Sequence, residues 1–308
     1  MKQFCIKIII FLLPVMAIAV FMEISLRNIP NDYRYKREYL VLHSHQIETL
    51  ILGSSHTFYG LNPDYFSSNT FNASHISQSI DLDYEILKKY QNSFQNLKTV
   101  ILPISYFTFF ENLSNTDEAW RIKNYTIYYR LNSPNSLTDY SEVLSNHPKI
   151  NTDRLISYYV KNNPAITCSE LGWGTEYHAK NAQNLAETGK NAAVRHTIDN
   201  FNSKENQKIF TENISTLEAV LEWCSKRNIK IYLVTPPAYQ TYRENLNIEQ
   251  LKATIDTVTE ICSKHNHCMY DNLLSDDSFL AQDFYDSDHL SEIGAEKLSK
   301  FVNQRIQE

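Results

Sequence analysis

Two short stretches of the sequence carry residues whose types and spacing fit nucleophilic chemistry. Gly53-Ser54-Ser55-His56 sets two hydroxyls between a glycine and an imidazole, directly behind a short apolar run. Phe284-Tyr285-Asp286-Ser287-Asp288-His289-Leu290 offers a histidine with a carboxylate three residues earlier. A serine hydroxyl becomes a strong nucleophile when a neighbouring base takes its proton. A histidine serves as that base when a partner on its other ring nitrogen holds the required tautomer. Asp286 and Asp288 are both available as the partner, and the three-residue spacing in a tight turn favours Asp286. Each stretch also has a plainer reading. Ser-Ser serves equally in a loop or as a helix cap, and the second stretch alone is an acidic surface turn ahead of a helix.

The elements around these stretches put both at the same kind of position. Ile47–Leu52 is an apolar run ending in Gly53, as a buried strand would be. Phe71–Ala73 and Lys98–Ile104 read as further strands, the latter closing at Pro103. Ile229–Val234 and Cys268–Tyr270 complete the set. Helical spacing runs through Leu82–Phe94, Ile209–Arg227, Ile248–His265 and Ser291–Ile306, with Ser291 as an N-cap. Short apolar strands alternating with helices predict an α/β fold, a parallel sheet covered by helices on both faces. Ligand sites in such sheets lie beyond the carboxyl ends of the strands. Both stretches fall there by chain order. Residues 106–205 break the alternation and read as a large insertion.

The N-terminus is of different character. Lys2 and Lys7 precede an apolar run that, taken from Phe4 to Leu26, is long enough to cross a bilayer, which needs roughly 20 residues. A signal peptide has the same basic start and apolar middle, but no small-x-small cleavage pattern follows the run. The expected organisation is a transmembrane anchor over 1–26, a juxtamembrane linker over 27–46 and a domain over 47–308. The basic residues at the start put the bulk of the chain on the extracytoplasmic, periplasmic side of the membrane. Arg27, Arg34, Lys36 and Arg37 beyond the run weaken that orientation and suit contact with lipid headgroups.

Composition excludes other classes. The net charge is -6 and no basic run lies outside the N-terminus, which gives no nucleic-acid surface. Only 6 glycines occur, and no phosphate-binding glycine motif is present, so no nucleotide cofactor is expected. Cys262 and Cys268 flank Lys-His-Asn-His, yet zinc sites use tighter recurring pairs. A buried or disulfide-bonded pair is expected instead, and no metal. Arg195-His196 fits a solvated loop or a side chain reaching the cleft. Trp120, Trp173 and the abundant tyrosines fit core packing or stacking on sugar rings.

With these residues in hand, the sequence resembles the SGNH (GDSL-like) hydrolases, over roughly 47–105 and 207–306. In that superfamily a Gly-Asp-Ser block after the first strand supplies the nucleophile, matched by Ser55, with Ser54 in the place of the Asp. An Asp-x-x-His block near the C-terminus, followed by Leu and then Gly, is matched by Asp286, His289, Leu290, Gly294 and Ala295. The resemblance implies a three-layer sandwich with a flavodoxin-like parallel sheet and a Ser55–His289–Asp286 triad. It implies oxyanion-hole donors at the N–H groups of Ser55 and Ser77, Ser77 standing where a glycine is usual. His56, Asn72 and Gln78 become candidate substrate-binding residues. The third block, normally Gly-x-Asn-Asp, is lost: the third strand ends Pro103-Ile104-Ser105-Tyr106. Loss of one oxyanion donor costs roughly 10²–10³ in rate.

Among SGNH proteins the chain is similar to the membrane-anchored extracytoplasmic members that act in O-acylation of cell-surface polysaccharides. That implies an acyl-ester or polysaccharide substrate and a multi-pass membrane acyltransferase as partner. The alternative is a catalytically inactive module that keeps the fold and binds glycan or that membrane partner.

Overall fold

The computed structural model describes residues 2–132 and 136–308; within the first helix the side chains of Lys2, Cys5, Ile6, Ile8 and Ile9 lie outside the described set, so the sequence-based expectations for Lys2 and Cys5 go no further. In chain order the elements are α1 (Lys2–Asn28), α2 (Asp32–His43), β1 (Thr49–Ile51), α3 (Ser55–Gly60), β2 (Thr70–Asn72), α4 (Ile80–Tyr90) and β3 (Thr99–Pro103). Then follow α5 (Ile122–Asn124), α6 (Glu142–Ser145), α7 (Pro148–Leu155), α8 (Leu185–His196), α9 (Lys204–Ser225) and β4 (Lys230–Thr235). The chain closes with α10 (Gln240–Arg243), α11 (Ile248–Ser263), β5 (Cys268–Asn272) and α12 (Glu292–Gln307).

The five strands form one parallel sheet in the order β2-β1-β3-β4-β5, the flavodoxin-like arrangement. Leu50 pairs with Phe71 on one side and Val100 on the other, and Leu102 pairs with Leu233. Strands buried on both faces read as near-continuous apolar runs, and Thr49–Ile51, Thr99–Pro103 and Ile231–Thr235 are buried at every position. Alternate residues face opposite ways. Ile51, Ile101, Tyr232 and Val234 pack on Leu290, Leu298 and Val302, the last two from α12. Leu50, Val100, Ile231 and Leu233, also buried, point to the other face. The expected strands and helices are all present, within a few residues of the expected ends. The sequence-expected α/β class is what the chain adopts.

The chain divides into two compact units. One comprises Tyr39–Thr116 and Cys168–Glu308 and contains the whole sheet. The other comprises Met1–Glu38 and Asp117–Thr167. Its interior includes Leu26, Tyr33, Tyr125, Tyr128 and Tyr129. There the buried Glu142 carboxylate meets Lys123 Nζ and Arg154 Nη1, each at 2.6 Å. Burial pushes the Glu142 pKa up, but these two cations outweigh it and hold the group at about 2. Within α1, Ile10–Asn28 is long and apolar enough to cross a membrane. Cys262 and Cys268 form a disulfide between the end of α11 and the start of β5.

Candidate active site

Gly53 makes the turn out of β1 with φ +107°, and a Cβ there would lie 2.2 Å from Pro103 Cδ. Only glycine fits both the backbone conformation and the space. The turn passes Ser54, which caps α3 in extended conformation. Ser54 O accepts the N–H groups of Thr57 and Phe58, and Thr57 Oγ1 donates back to Leu52 O at 2.8 Å. Ser55 is thereby held as the first residue of α3, half-exposed at the carboxyl edge of the sheet.

The C-terminal stretch reaches the same place from the other end of the domain. Tyr285 N–H donates to His289 O, and Ser291 N–H to Asp283 O, closing a compact loop. A Cβ on Gly294 would lie 2.1 Å from Asp283 O, so the loop can lie against α12 only because that residue is glycine. Inside the loop Asp286 Oδ1 accepts the backbone N–H groups of Asp288 (3.1 Å) and His289 (2.9 Å). The Asp286 carboxylate also meets His289 Nδ1, at 2.9 Å through Oδ1 and 3.1 Å through Oδ2. His289 Nε2 lies 2.8 Å from Ser55 Oγ. Nδ1 therefore carries a proton toward Asp286, and in the neutral ring Nε2 accepts from the serine hydroxyl.

A second carboxylate sits behind this line. Asp288 is buried, with Oδ1 3.5 Å from His289 Nδ1. Its Oδ2 lies 3.4 Å from Arg195 Nη2, 3.7 Å from His56 Nε2 and 3.9 Å from His196 Nδ1. Burial lowers the pKa of His56 and pushes that of His196 down to about 3, so both rings are neutral. Burial also opposes charge on Asp288, but His289 overcomes this and holds it well below the usual carboxylate range. Burial works against the charged His289 too; Asp286 and then Asp288 outweigh it and raise its pKa well above the ordinary value.

The sequence matches no family model and no curated protein. Among solved structures it is similar to a Streptococcus pneumonia protein provisionally described as a platelet activating factor. The identity is 12%, over 96% of this chain and 98% of that one, with a TM-score of 0.43. It is also similar to a Bacteroides fragilis protein provisionally described as an acylhydrolase, at 9% identity over 88% and 96% of the two chains, with a TM-score of 0.40. At these values the likeness assigns no activity to this chain.

Of the residues singled out from sequence, Ser55, Asp286, His289 and His56 lie together. His56 is turned inward: its Nδ1 shares a hydrogen bond with Ser105 Oγ at 2.6 Å. Ser77 occupies a turn whose His75 N–H donates to Gly53 O. Ser77 has φ 56°, the left-handed conformation a glycine adopts most readily. Asn72 and Gln78 point into the protein. Asn72 Nδ2 donates to Thr57 O and Leu61 O, both at 2.8 Å, and its Oδ1 accepts Ser74 N–H. Gln78 Nε2 donates to Asp83 Oδ1 at 2.6 Å. Arg195 and His196, at the end of α8, reach Asp288.

Sequence reasoning missed two neighbours of the site. Ser105 stands just beyond the carboxyl end of β3, where the ligand-site rule for parallel sheets would have pointed. Tyr177 is stacked between Tyr59 (3.6 Å) and Tyr285 (3.9 Å), with its ring 5.5 Å from that of His289. No sequence signal marks that stack. His56, Asp288 and His289 also bring three ligand-type atoms within 4.8 Å of one another. Both ring nitrogens of His289 already face Asp286 and Ser55, so a cation there would compete with the serine contact.

Proposed function

We propose that this chain is an SGNH-type serine enzyme that works on acyl esters of a cell-surface glycan, as an O-acyltransferase or O-acyl esterase. The observation that carries this reading is the approach of Ser55 Oγ to His289 Nε2 at 2.8 Å, with Asp286 on the opposite nitrogen. His289 takes the hydroxyl proton while Ser55 Oγ bonds to the ester carbonyl carbon. The carbonyl oxygen becomes an oxyanion facing the N–H groups of Ser55 and Ser77. Collapse breaks the ester C–O bond, and the leaving alkoxide receives the proton from His289. The acyl-serine is then attacked by a sugar hydroxyl or by water, which gives its proton to His289; return of that proton frees Ser55.

Burial of His289 and the Tyr59–Tyr177–Tyr285 stack beside it support a site from which water is partly kept and against which a sugar ring can lie. The apolar α1 supports attachment to a membrane. The Cys262–Cys268 disulfide supports an oxidising compartment on its far side. A multi-pass membrane acyltransferase as donor partner fits the same location.

One observation favours the non-catalytic alternative. Where the family carries its third-block Asn, Ser105 bonds His56 instead of facing an oxyanion. A fluorophosphonate probe separates the two readings. Labelling of the folded full chain that disappears in Ser55→Ala is expected; a folded wild-type chain that takes no label would leave only the binding module. Incubation of an acyl ester with and without an oligosaccharide acceptor then distinguishes transfer from hydrolysis by the appearance of acylated sugar.

A further inference from the structure

The last turns of α1 are built into the smaller unit. Glu23 accepts the backbone N–H groups of Glu142 (3.0 Å) and Val143 (2.9 Å) and the hydroxyl of Ser141 (2.8 Å), capping α6 from outside. Arg27 Nε bonds the same carboxylate at 2.6 Å, and its Nη2 donates to Tyr140 O. Tyr159 Oη donates to Ser25 O at 3.0 Å, and Leu26 is wholly buried. All these attachment points lie within Ile10–Asn28, the segment apolar enough to span a membrane. With a rise of ~1.5 Å per residue, Glu23 lies about 7 Å from the end of that segment, within the headgroup and acyl boundary. A charge at that depth is costly unless paired, and here it is paired in full.

If α1 spans a bilayer, residues 137–160 are held at membrane-surface height, and many of their outward side chains are apolar, among polar ones such as Thr138, His147, Thr152 and Asp153. Leu137 is 88% exposed, Leu144 68% and Val160 71%, with Tyr140 and Tyr159 half-exposed. Leu144 directly follows Val143, and Val160 directly follows Tyr159, so both lie beside bonds to α1. Exposed Lys149 and Lys161 are near them in sequence. Apolar side chains, tyrosines and lysines together make an interfacial surface. The apolar groups enter the acyl boundary, tyrosines sit among headgroups, and lysines reach toward phosphate.

We propose that residues 137–160 form a collar that seats in the phospholipid headgroup boundary where α1 leaves the membrane. The occupant of this surface is lipid. The proposal rests on α1 spanning a bilayer, and its test separates the two. The full chain is prepared with the photoreactive amino acid p-benzoylphenylalanine at position 16, 144 or 160. Each protein is reconstituted in phosphatidylcholine–phosphatidylglycerol vesicles, irradiated, and analysed by mass spectrometry. Phospholipid adducts are expected at 144 and 160 in yields within a few-fold of that at 16. Lipid adducts at 16 with none at 144 and 160 overturn the collar and leave the membrane helix standing. Cross-links from 144 and 160 to a second copy of the chain overturn it in favour of self-association. Absence of lipid adducts at 16 removes the spanning helix and the collar together.

Discussion

Asp83 Oδ1 accepts the backbone N–H of Gly53 at 2.8 Å, across 30 residues of sequence. The same oxygen accepts Gln78 Nε2 at 2.6 Å. One buried carboxyl thus ties the turn that leads to Ser55 to the turn that contains Ser77. Burial pushes its pKa up to about 8. An unfolded carboxyl releases its proton near pH ~4. Between that pH and about 8 the folded chain keeps a proton that the unfolded chain has lost. Stability from this group is therefore complete at acid pH and falls as pH rises toward 8. Asp83→Asn keeps the shape and an acceptor oxygen without the charge. Its thermal midpoint should gain on wild type progressively from about pH 5 to about pH 8.5. Equal midpoints of the two proteins across that range would show that Asp83 does not titrate in this way.

Asp288 and Asp286 should behave differently on neutralisation. Asp286 orients His289, and its loss in Asp286→Asn is expected to lower kcat for a p-nitrophenyl ester by about 10⁴, as wrong-tautomer variants of serine triads do. Asp288 acts on His289 through charge, at 3.5 Å. The two carboxylates keep His289 protonated above its ordinary range, and a protonated ring cannot accept from Ser55. Activity should therefore rise with pH through the His289 pKa. Asp288→Asn removes one of the two charges, so the acidic limb of the kcat/KM profile should move to lower pH. A limb that stays in place would assign Asp288 to packing alone.

Asn72 ties β2 to α3 with its whole amide. Asn72→Ala would remove one hydrogen bond each from Thr57 O, which keeps the Leu61 N–H, from Leu61 O and from Ser74 N–H, which costs about 2–4 kcal/mol. The urea midpoint should fall accordingly, while KM, read well below the unfolding temperature, stays close to wild type. A raised KM in a protein of unchanged stability would return Asn72 to the substrate.

The disulfide closes a loop of sequence separation 6. Loop-closure entropy assigns such a short loop about 2 kcal/mol. Paired Cys262→Ser and Cys268→Ser should lower the thermal midpoint by several degrees and leave probe labelling at Ser55 intact, since β5 is the edge strand farthest in sheet order from β1. Loss of labelling would tie the edge to the site.

Much of this arrangement was legible in the residues. Ile47–Leu52 and Lys98–Ile104 read as strands because burial on both faces demands a largely apolar run. Ser55 and His289 read as partners because both follow such strands or precede the closing helix. Asp83 was equally visible and was overlooked. Asp83, Ile86, Leu87 and Tyr90 follow helical spacing, so an acid stands on the buried stripe of α4. The burial of Asp288 was not legible, because it depends on His56 and the Arg195-His196 pair arriving from two distant parts of the chain. The short turns of 106–205 obey no single period, and only tertiary contacts such as Glu23 with Ser141 fix them.

The Ser55–His289 contact spans 234 residues. A growing chain carries Ser55 long before it carries the ring that would activate it. In the folded chain α12 packs on α3, with Leu290 and Leu298 against Gly60 beneath the serine's own helix. Without that ring beside it the hydroxyl is an ordinary alcohol, chemically quiet while the chain is being made. On the proposed serine chemistry, completion of the fold is itself the switch that arms it.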